Sequence, residues 1–353
     1  MKLGIIGLPQ SGKTTVFNAL TRGDRPMTMS GGRFEVHTAV VDVPDPRLDE
    51  LSHLFNPKKT TYAKVTYADI AGLEGSASGN IAGQLLNQLS QMDGFIHVVR
   101  CFEDENVPHS MGSVDPQRDI DAMESEFLIN DLIAVESKLE RLAEELRRNS
   151  RSKDEIAREI VLFERLQAAL LEDTPLRQVD LTPEEHKIIF GYGFLSSKSL
   201  LIVLNLGEGQ IAPEIEYPCQ VCVVSLQGQL EMEIAQLPPD DAQIFMEEYD
   251  ISEPSLNRMI QSSYNLMDLQ SFFTVGEDEV RAWTVRRGAI ASEAAGVIHS
   301  DLQKGFIRAE VVPYWELLAL GGMSAARSKG KLRLEGKGYS LQDGDIMHVR
   351  FNV

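Results

Sequence analysis

The first residues able to do chemistry lie near the start of the chain. Gly7-Leu-Pro-Gln-Ser-Gly-Lys-Thr14 has the G-x4-G-K-[ST] spacing of a Walker A loop, between the strand-like run Leu3–Ile6 and the helix-forming run Thr15–Leu20. In such a loop, glycine N–H groups surround phosphate oxygens at a helix N-terminus. Lys13 would contact the β- and γ-phosphates, and the Thr14 hydroxyl would bind Mg²⁺. We therefore predict that this loop binds a nucleoside triphosphate with Mg²⁺.

A second motif, Asp69-Ile-Ala-Gly72, lies at the end of a predicted strand downstream of the loop. Asp69 there can hold Mg²⁺ through water, and the Gly72 N–H can meet the γ-phosphate. The D-x-x-G motif is weak alone, but its pairing with a Walker A loop indicates a GTPase-type fold.

A third motif concerns the base. GTPases of this fold read guanine with Asn-Lys-x-Asp, whereas the predicted strand Ser199–Leu204 is followed here by Asn205-Leu-Gly-Glu208. The missing lysine and the glutamate favour adenine or a relaxed specificity; Glu208 as an ordinary surface-loop residue remains an alternative. The candidate nucleotide-contacting residues are Gly7, Pro9, Gln10, Ser11, Gly12, Lys13, Thr14, Thr15, Gly72, Asn205, Leu206, Glu208, Ser225 and Leu226, with Thr14 and Asp69 as metal ligands.

Composition limits the class of protein. The 353 residues include 34 Lys+Arg and 53 Asp+Glu, a formal net charge of −19, which opposes broad electrostatic binding to nucleic acid or anionic membranes but not a local basic patch. The 3 cysteines give no disulfide framework. No run approaches the roughly 18 apolar residues of a membrane span. We predict a cytoplasmic protein without membrane segments; its oligomeric state is left open.

The elements that must position these motifs alternate as in βαβ units. Residues 1–122 have this rhythm, and it returns from residue 199. Between them, Leu128, Leu132, Val135, Leu139, Leu142 and Leu146 recur at alternating spacings of four and three residues, and a similar seam resumes at Ile156. This pattern predicts an antiparallel coiled-coil hairpin with a basic tip at Arg147–Lys153.

The predicted fold is therefore α/β, a Ras-like P-loop domain interrupted by the hairpin. Its predicted limits are residues 1–122 and 199–270 for the nucleotide-binding domain and 123–198 for the insertion. Residues 271–353 contain short strands and many glycines, which predict a compact mixed β domain.

These motifs resemble the Obg-like ATPase (YchF) family over essentially the whole chain. The matching stretches in the first half include Phe17-Asn-Ala-Leu-Thr21, Val43-Pro-Asp-Pro-Arg-Leu-Asp49, Asp69-Ile-Ala-Gly-Leu73 and His97-Val-Val-Arg-Cys-Phe-Glu-Asp104. The C-terminal stretches Lys304-Gly-Phe-Ile-Arg-Ala-Glu310 and Gln342-Asp-Gly-Asp-Ile-Met-His348 are similar to that family's TGS domain, a β-grasp module.

The resemblance implies an ATP-binding protein of GTPase ancestry that associates with ribosomes, with GTP as a possible second nucleotide. Leu73 stands where Ras-like enzymes carry the glutamine that orients the attacking water, so another group must act or hydrolysis is slow. The family has a histidine in the loop after the Cys101-Phe-Glu-Asp104 segment, and His109 occupies that position; a solvated loop histidine is the equal alternative. The candidate catalytic residues are thus His109 and Lys13.

Four segments depart from the family pattern. Gln10-Ser11 replaces Asn-Val, Ser30–Arg33 lacks the switch I threonine that Thr28 or Thr38 would have to replace, Gly75–Asn80 is a shortened switch II, and Ser225-Leu-Gln227 replaces Ser-Ala-Lys. We expect a divergent member with weaker hydrolysis.

Basic residues cluster at the hairpin tip and in the C-terminal domain, around Arg286, Arg287, Lys304, Arg308, Arg327, Lys329, Lys331 and Arg333. They are either solvated charge or surfaces for rRNA. Two functions remain open: an ATP-hydrolysing switch, and a non-catalytic nucleotide-gated regulator of the ribosome. An ordinary GTPase is a third, which Glu208 argues against.

Overall fold

The computed structural model describes residues 1–23, 36–70, 83–148, 151–217, 222–248, 251 and 253–352. The chain divides into two compact units, residues 1–39 with 66–256 and residues 40–65 with 257–353. None of the described helices is long and apolar enough to cross a membrane.

The secondary structure follows the predicted alternation. The strands are β1 (Lys2–Ile6), β2 (Val36–Asp42), β3 (Lys59–Thr61), β4 (Lys64–Ile70), β5 (Gly94–Arg100), β6 (Ser199–Asn205), β7 (Cys222–Leu226), β8 (Leu269–Thr274), β9 (Glu279–Arg286), β10 (Phe306–Pro313), β11 (Arg333–Glu335) and β12 (Asp345–Phe351). The helices are α1 (Lys13–Thr21), α2 (Pro46–Phe55), α3 (Gly83–Ser90), α4 (Pro116–Arg148), α5 (Lys153–Leu171), α6 (Pro183–Phe190), α7 (Gly228–Gln236), α8 (Pro239–Glu248), α9 (Ser255–Leu266), α10 (Ala291–Ile298), α11 (Ser300–Lys304), α12 (Tyr314–Leu320) and α13 (Met323–Ser328).

The first sheet has the order β2-β4-β1-β5-β6-β7, with parallel pairing from β4 through β7. Its central strands are apolar runs, and every residue of β5 is buried, as expected for parallel strands covered on both faces. The register sets Ile5 beside Asp69, and Asn205 between Arg100 and Leu226. Because parallel strands end at one edge, the loops that follow them meet there.

The helical hairpin is formed by α4 and α5, as the apolar seam predicts. Leu128, Val135, Leu142, Ile156 and Phe163 are buried in one cluster between them. Leu146, the last residue of the predicted seam, is 38% exposed, so the packing weakens toward the tip. Residues 149–150 of the predicted tip lie outside the described residues.

The second unit is built on a sheet with the order β11-β10-β12-β8-β9-β3. One of its faces packs on α10 through Phe272, Val311 and Met347, together with Ala294 and Ala295. The strand β3 pairs in parallel with β9, which brings residues 40–65 into this unit. Sequence periodicity did not predict this association, and the domain limits expected above remain predictions.

Candidate functional site

The Walker A loop leaves β1 and enters α1 in a conformation that requires its glycines. Gly7 has φ 148° and Gly12 has φ 95°, and Gln10 between them also has a positive φ of 62°. A Cβ on Gly7 would lie 2.3 Å from the Val98 carbonyl oxygen, and one on Gly12 would lie 2.2 Å from Asn205 Nδ2. Both positions therefore exclude a side chain on steric grounds as well as by backbone conformation.

The loop opens onto the N-terminus of α1. Among the described residues, no side chain caps this helix, and its first turn contains no acidic residue. The first N–H groups of a helix have no intrahelical acceptor and attract anions. This end of α1, where Thr14 and Thr15 lie, is therefore suited to bind phosphate.

The Lys13 ammonium lies back over the loop. Its Nζ donates to the carbonyl oxygens of Gly7 at 3.0 Å and Leu8 at 2.8 Å. A point charge held by main-chain oxygens keeps its orientation while remaining beside the position that phosphate oxygens occupy in Walker A loops.

The two predicted metal ligands come together. Thr14 lies on α1 and Asp69 at the end of β4, and the Thr14 hydroxyl donates to Asp69 Oδ2 at 3.2 Å. A hydroxyl and a carboxylate side by side are two of the oxygen ligands that Mg²⁺ accepts when phosphates and water supply the rest. Within the described ranges, no group of three or more His, Cys, Asp or Glu side chains could hold another metal ion.

Asn205, predicted to lie near the base, connects two loops. Its Nδ2 donates to the Ser11 carbonyl oxygen at 3.0 Å, and its Oδ1 accepts the Gly228 N–H at 3.0 Å. The side chain is buried. Asn205 thus ties the Walker A loop to the start of α7, and both of its side-chain polar atoms already have partners.

The other residues predicted to contact the base differ in their burial. The Leu206 N–H donates to the Leu226 carbonyl oxygen at 2.8 Å, which joins the ends of β6 and β7. Leu226 is buried, Ser225 is half-buried, and Glu208 is exposed. The structure therefore brings Asn205, Leu206 and Leu226 together and leaves the Glu208 carboxylate in solvent.

Two residues of this region were not predicted from the sequence. The Gln210 side chain accepts the Gly207 N–H at 2.9 Å and donates to the Cys101 carbonyl oxygen at 2.7 Å. A Cβ on Gly228 would lie 2.8 Å from Asn205 Oδ1, so only glycine fits there unless Asn205 moves. A glycine two residues after the altered Ser225–Leu226 loop was the available signal.

His109 lies in the loop between β5 and α4, where it contacts the first turn of α4. Its Nε2 is 2.8 Å from Asp119 Oδ2, and its Nδ1 accepts the Met111 N–H at 3.1 Å. Because Nδ1 accepts, the proton of the neutral ring belongs on Nε2, where it is donated to Asp119. The imidazole is only 3% exposed. These contacts do not include the Walker A loop.

A second histidine, His97, lies inside the fold beside the Walker A loop. It pairs with Ile6 across the sheet and is fully buried. Burial, helped by the positive charge of Lys13, lowers the pKa of His97 to about 3. It is therefore neutral at any physiological pH, as expected for a packed strand residue. Its ring nitrogens have no hydrogen-bond partner within the described ranges.

Several predicted features lie outside the described residues. They are Gly72 and Leu73, the switch II segment Gly75–Asn80, and the switch I segment Ser30–Arg33 with Thr28. Thr38, the other candidate for switch I, lies on β2 and is exposed.

Comparisons with known proteins extend these observations. Residues 2–138 match a family model described as 50S ribosome-binding GTPase, and residues 269–352 match the YchF-GTPase_C model, described as a protein of unknown function. The ribosome-binding ATPase YchF of Bacillus subtilis (strain 168) is 40% identical, with 99% of each chain covered. This chain belongs to the YchF family.

Other YchF proteins agree. The ribosome-binding ATPase YchF of Escherichia coli O157:H7 is 36% identical over 100% of this chain and 99% of its own. The solved structure of the Schizosaccharomyces pombe YchF GTPase matches with a TM-score of 0.86 at 30% identity, covering 99% of this chain and 97% of that one. The expected family and the α/β fold, a P-loop GTPase-type domain followed by a C-terminal domain, are thereby confirmed. Family membership also implies nucleotide binding.

Proposed function

We propose that this chain is a switch protein that binds ATP with Mg²⁺, hydrolyses it slowly and acts on the ribosome in the cytoplasm. The observation that carries the proposal is the convergence of Lys13, Thr14 and Asp69 at the start of α1. The names of the relatives, ribosome-binding ATPases, support the choice of nucleotide and partner.

Each residue has a distinct role in this mechanism. The amides of the Walker A loop and of the first turn of α1 bind the phosphates, and Lys13 neutralises charge on them. Thr14 and Asp69 would hold Mg²⁺, which offsets charge on the phosphate oxygens. Asn205 holds the phosphate-binding loop against the base-binding side of the site. His109 is the candidate for orienting the attacking water.

The base preference rests on Asn205-Leu-Gly-Glu208. Guanine recognition needs a carboxylate fixed beside the base, and the Glu208 side chain is exposed. We therefore expect ATP to bind more tightly than GTP. Isothermal titration with each nucleotide and Mg²⁺ tests this; a lower dissociation constant for GTP would contradict it.

The phosphate-binding roles are tested with Lys13→Gln. Loss of a charge-assisted contact should weaken ATP binding by about 2 kcal/mol, roughly thirtyfold in Kd. Lys58→Gln is the matched control, because Lys58 is 81% exposed and pairs with Asp278 on the surface. Equal affinities of the two variants would exclude the proposed role of Lys13.

One observation favours a second function: both ring nitrogens of His109 are hydrogen-bonded within the protein. With this histidine held away and Leu73 in place of glutamine, the chain could act as a nucleotide-gated ribosome regulator in which hydrolysis is residual. Single-turnover hydrolysis with and without ribosomes separates the two functions. Bound ATP that outlives the ribosome complex would indicate the regulator.

The surface that meets the ribosome is best sought in the C-terminal unit. At the hairpin tip, Arg148 pairs with Glu144, and Arg151 pairs with both Glu145 and Glu159, whereas Arg147 and Lys153 form no ion pair with any described residue. In the C-terminal unit, four of the eight predicted cations form no ion pair with any described residue, twice as many as at the tip: Arg286, Lys304, Arg308 and Lys329. Unpaired cations are the ones that bind RNA phosphates without first losing a protein partner.

A further inference from the structure

The contacts of His109 describe a histidine that is held rather than exposed. Both ring nitrogens have partners, Asp119 on one side and the Met111 N–H on the other. Both the imidazole and the Asp119 carboxylate are 3% exposed. A histidine in this position has no free nitrogen with which to contact a water molecule or a nucleotide.

Asp119 is itself fixed from two sides. It lies in the first turn of α4, where the Asp115 side chain accepts the Arg118 N–H and orders the start of the helix. Arg118 donates from Nε and Nη2 to Asp119 Oδ1, at 3.1 and 2.7 Å. The other carboxylate oxygen, Oδ2, is left for His109. With two donors of Arg118 on one oxygen and His109 on the other, both carboxylate oxygens of Asp119 have partners that hold its orientation.

The same arginine also fixes the loop that carries His109. Arg118 Nη2 donates to the Ser113 carbonyl oxygen at 2.7 Å, and Nη1 lies 3.2 Å from Ser113 Oγ. At the other end of the loop, the buried side chain of Arg100 donates to the carbonyl oxygens of Phe102 and Val107. The loop is therefore anchored on both sides of His109 by buried or partly buried arginines.

We propose that Asp119, supported by Arg118, is a positioning residue that holds His109 in a stored orientation, and that parting of the His109–Asp119 hydrogen bond limits hydrolysis. The inference rests on the proposed role of His109 in catalysis. It adds Asp119 and Arg118 to that role. It also predicts that a weaker His109–Asp119 hydrogen bond increases the rate of hydrolysis.

The expected increase in rate follows from the strength of the His109–Asp119 hydrogen bond. A hydrogen bond to a carboxylate is about twice as strong as one to a neutral amide oxygen. Asp119→Asn keeps the size of the side chain and an acceptor oxygen but removes the charge, so the imidazole should leave its stored position more often. We expect the single-turnover hydrolysis rate to rise about fivefold, with the Kd for ATP unchanged.

Asp121→Asn is the matched control. Asp121 is an exposed acid on the same turn of α4, and its side chain accepts a hydrogen bond from Gln117. The substitution makes the same change of charge near the same helix terminus without touching His109. It should leave the rate unchanged; a rise equal to that of Asp119→Asn would attribute the effect to charge alone and overturn the proposal.

The test combines Asp119→Asn with His109→Ala in a double-mutant cycle on the full chain. If the increase in hydrolysis rate caused by Asp119→Asn disappears in the double variant, the increase acts through His109, as proposed. A rate for Asp119→Asn that stays at the wild-type value, or falls as it does in His109→Ala, overturns the proposal; in the latter case Asp119 would assist the reacting histidine. A wild-type rate for His109→Ala would instead refute the catalytic role on which the inference rests, and the two failures are thereby distinguished.

A readout independent of catalysis is the modification of His109 by diethyl pyrocarbonate, followed by mass spectrometry. If Asp119→Asn releases His109 from residue 119, diethyl pyrocarbonate should modify His109 faster in this variant. The exposed His299 should be modified at an unchanged rate. Arg118→Gln provides a second variant should Asp119→Asn fold poorly, since Arg118 is 30% exposed. It should increase both the modification and the hydrolysis rates, and an unaltered His109 modification rate in every variant would count against the proposal.

Discussion

At the residue scale, the site depends on side chains that bind other parts of the protein and so hold its loops in place. Asn205 is the clearest example, because its amide joins the Ser11 carbonyl oxygen to the Gly228 N–H. The asparagine of the base-reading motif therefore acts here through the geometry of two loops. The motif identifies this asparagine in the sequence, but only the fold shows which groups its side chain binds.

We predict that Asn205→Ala weakens nucleotide binding by about 2 kcal/mol, roughly thirtyfold in Kd, because a buried N–H and a buried carbonyl lose their partner. Gly228→Ala should act in the same direction, since its Cβ would displace the Asn205 oxygen. Alanine favours helix over glycine, so a loss there would not reflect the stability of α7. Titration with ATP measures both variants.

Asn265→Ala is the control for this pair, because Asn265 is exposed and belongs to the C-terminal unit. Its affinity should equal that of the wild type. An Asn205→Ala variant with unchanged Kd would mean that the two loops keep their geometry without the amide.

At the element scale, a buried acid fixes α4, the first helix of the hairpin, to the segment before β6. Asp131 on α4 accepts hydrogen bonds from the Leu195 N–H, the Ser196 N–H and the Ser196 hydroxyl, at 2.8, 2.7 and 2.6 Å. These bonds join the first helix of the insertion to the segment that leads back into β6. The heptad-like seam predicted α4 and α5, but a polar residue inside a helix gave no signal of this contact.

Burial raises the pKa of Asp131 to about 6, although the bonds from Ser196 and Leu195 and the charge of Lys198 act in the opposite direction. The folded state therefore binds this proton more tightly than the unfolded chain, where the pKa is about 4. The contribution of Asp131 to stability is complete below about pH 4 and is lost as the pH rises through about 6, by up to about 3 kcal/mol.

Denaturant unfolding of the wild type and Asp131→Asn measures this. The difference in unfolding free energy, wild type minus variant, should decrease between pH 4 and pH 7. A difference that instead grows over that range would show that the three hydrogen bonds stabilise the carboxylate more than burial disfavours it.

The second unit shows what a sequence predicts poorly at this scale. Short strands were predicted for residues 271–353, and β9, β10 and β12 are such strands, each with apolar residues among charged ones. The pairing of β3 with β9 was not predicted, since Lys59–Thr61 is short and has no apolar pattern. Likewise, Arg47 pairs with both Asp45 and Asp343, residues far apart in sequence. The β-grasp assignment remains a prediction that this sheet order is consistent with.

At the scale of the whole molecule, the sequence was most informative where function constrains local spacing. The Walker A loop follows a strand, the D-x-x-G aspartate and the first residue of the altered base motif lie at the ends of strands, and all three meet at one edge of the sheet. The storage of His109, by contrast, depends on where the loop after β5 meets α4, and a lone histidine in a polar loop carries no such information. Charge is a similar case. The net charge of −19 is counted from the sequence, but which cations form ion pairs depends on the fold.

That distinction leads to a prediction about ribosome binding. Arg308→Gln with Lys329→Gln removes two cations without an ion-pair partner in the described part of the chain, whereas Arg148→Gln with Arg151→Gln removes two that are paired with Glu144, Glu145 and Glu159. Each double variant changes the charge equally. Removal of a cation that binds an RNA phosphate should lower the salt dependence of binding by about one unit of slope. We expect co-sedimentation with ribosomes, measured across a salt series, to weaken for the C-terminal pair and to change little for the tip pair. The reverse order would place the contact at the hairpin tip, where binding would have to displace three glutamates from their arginines.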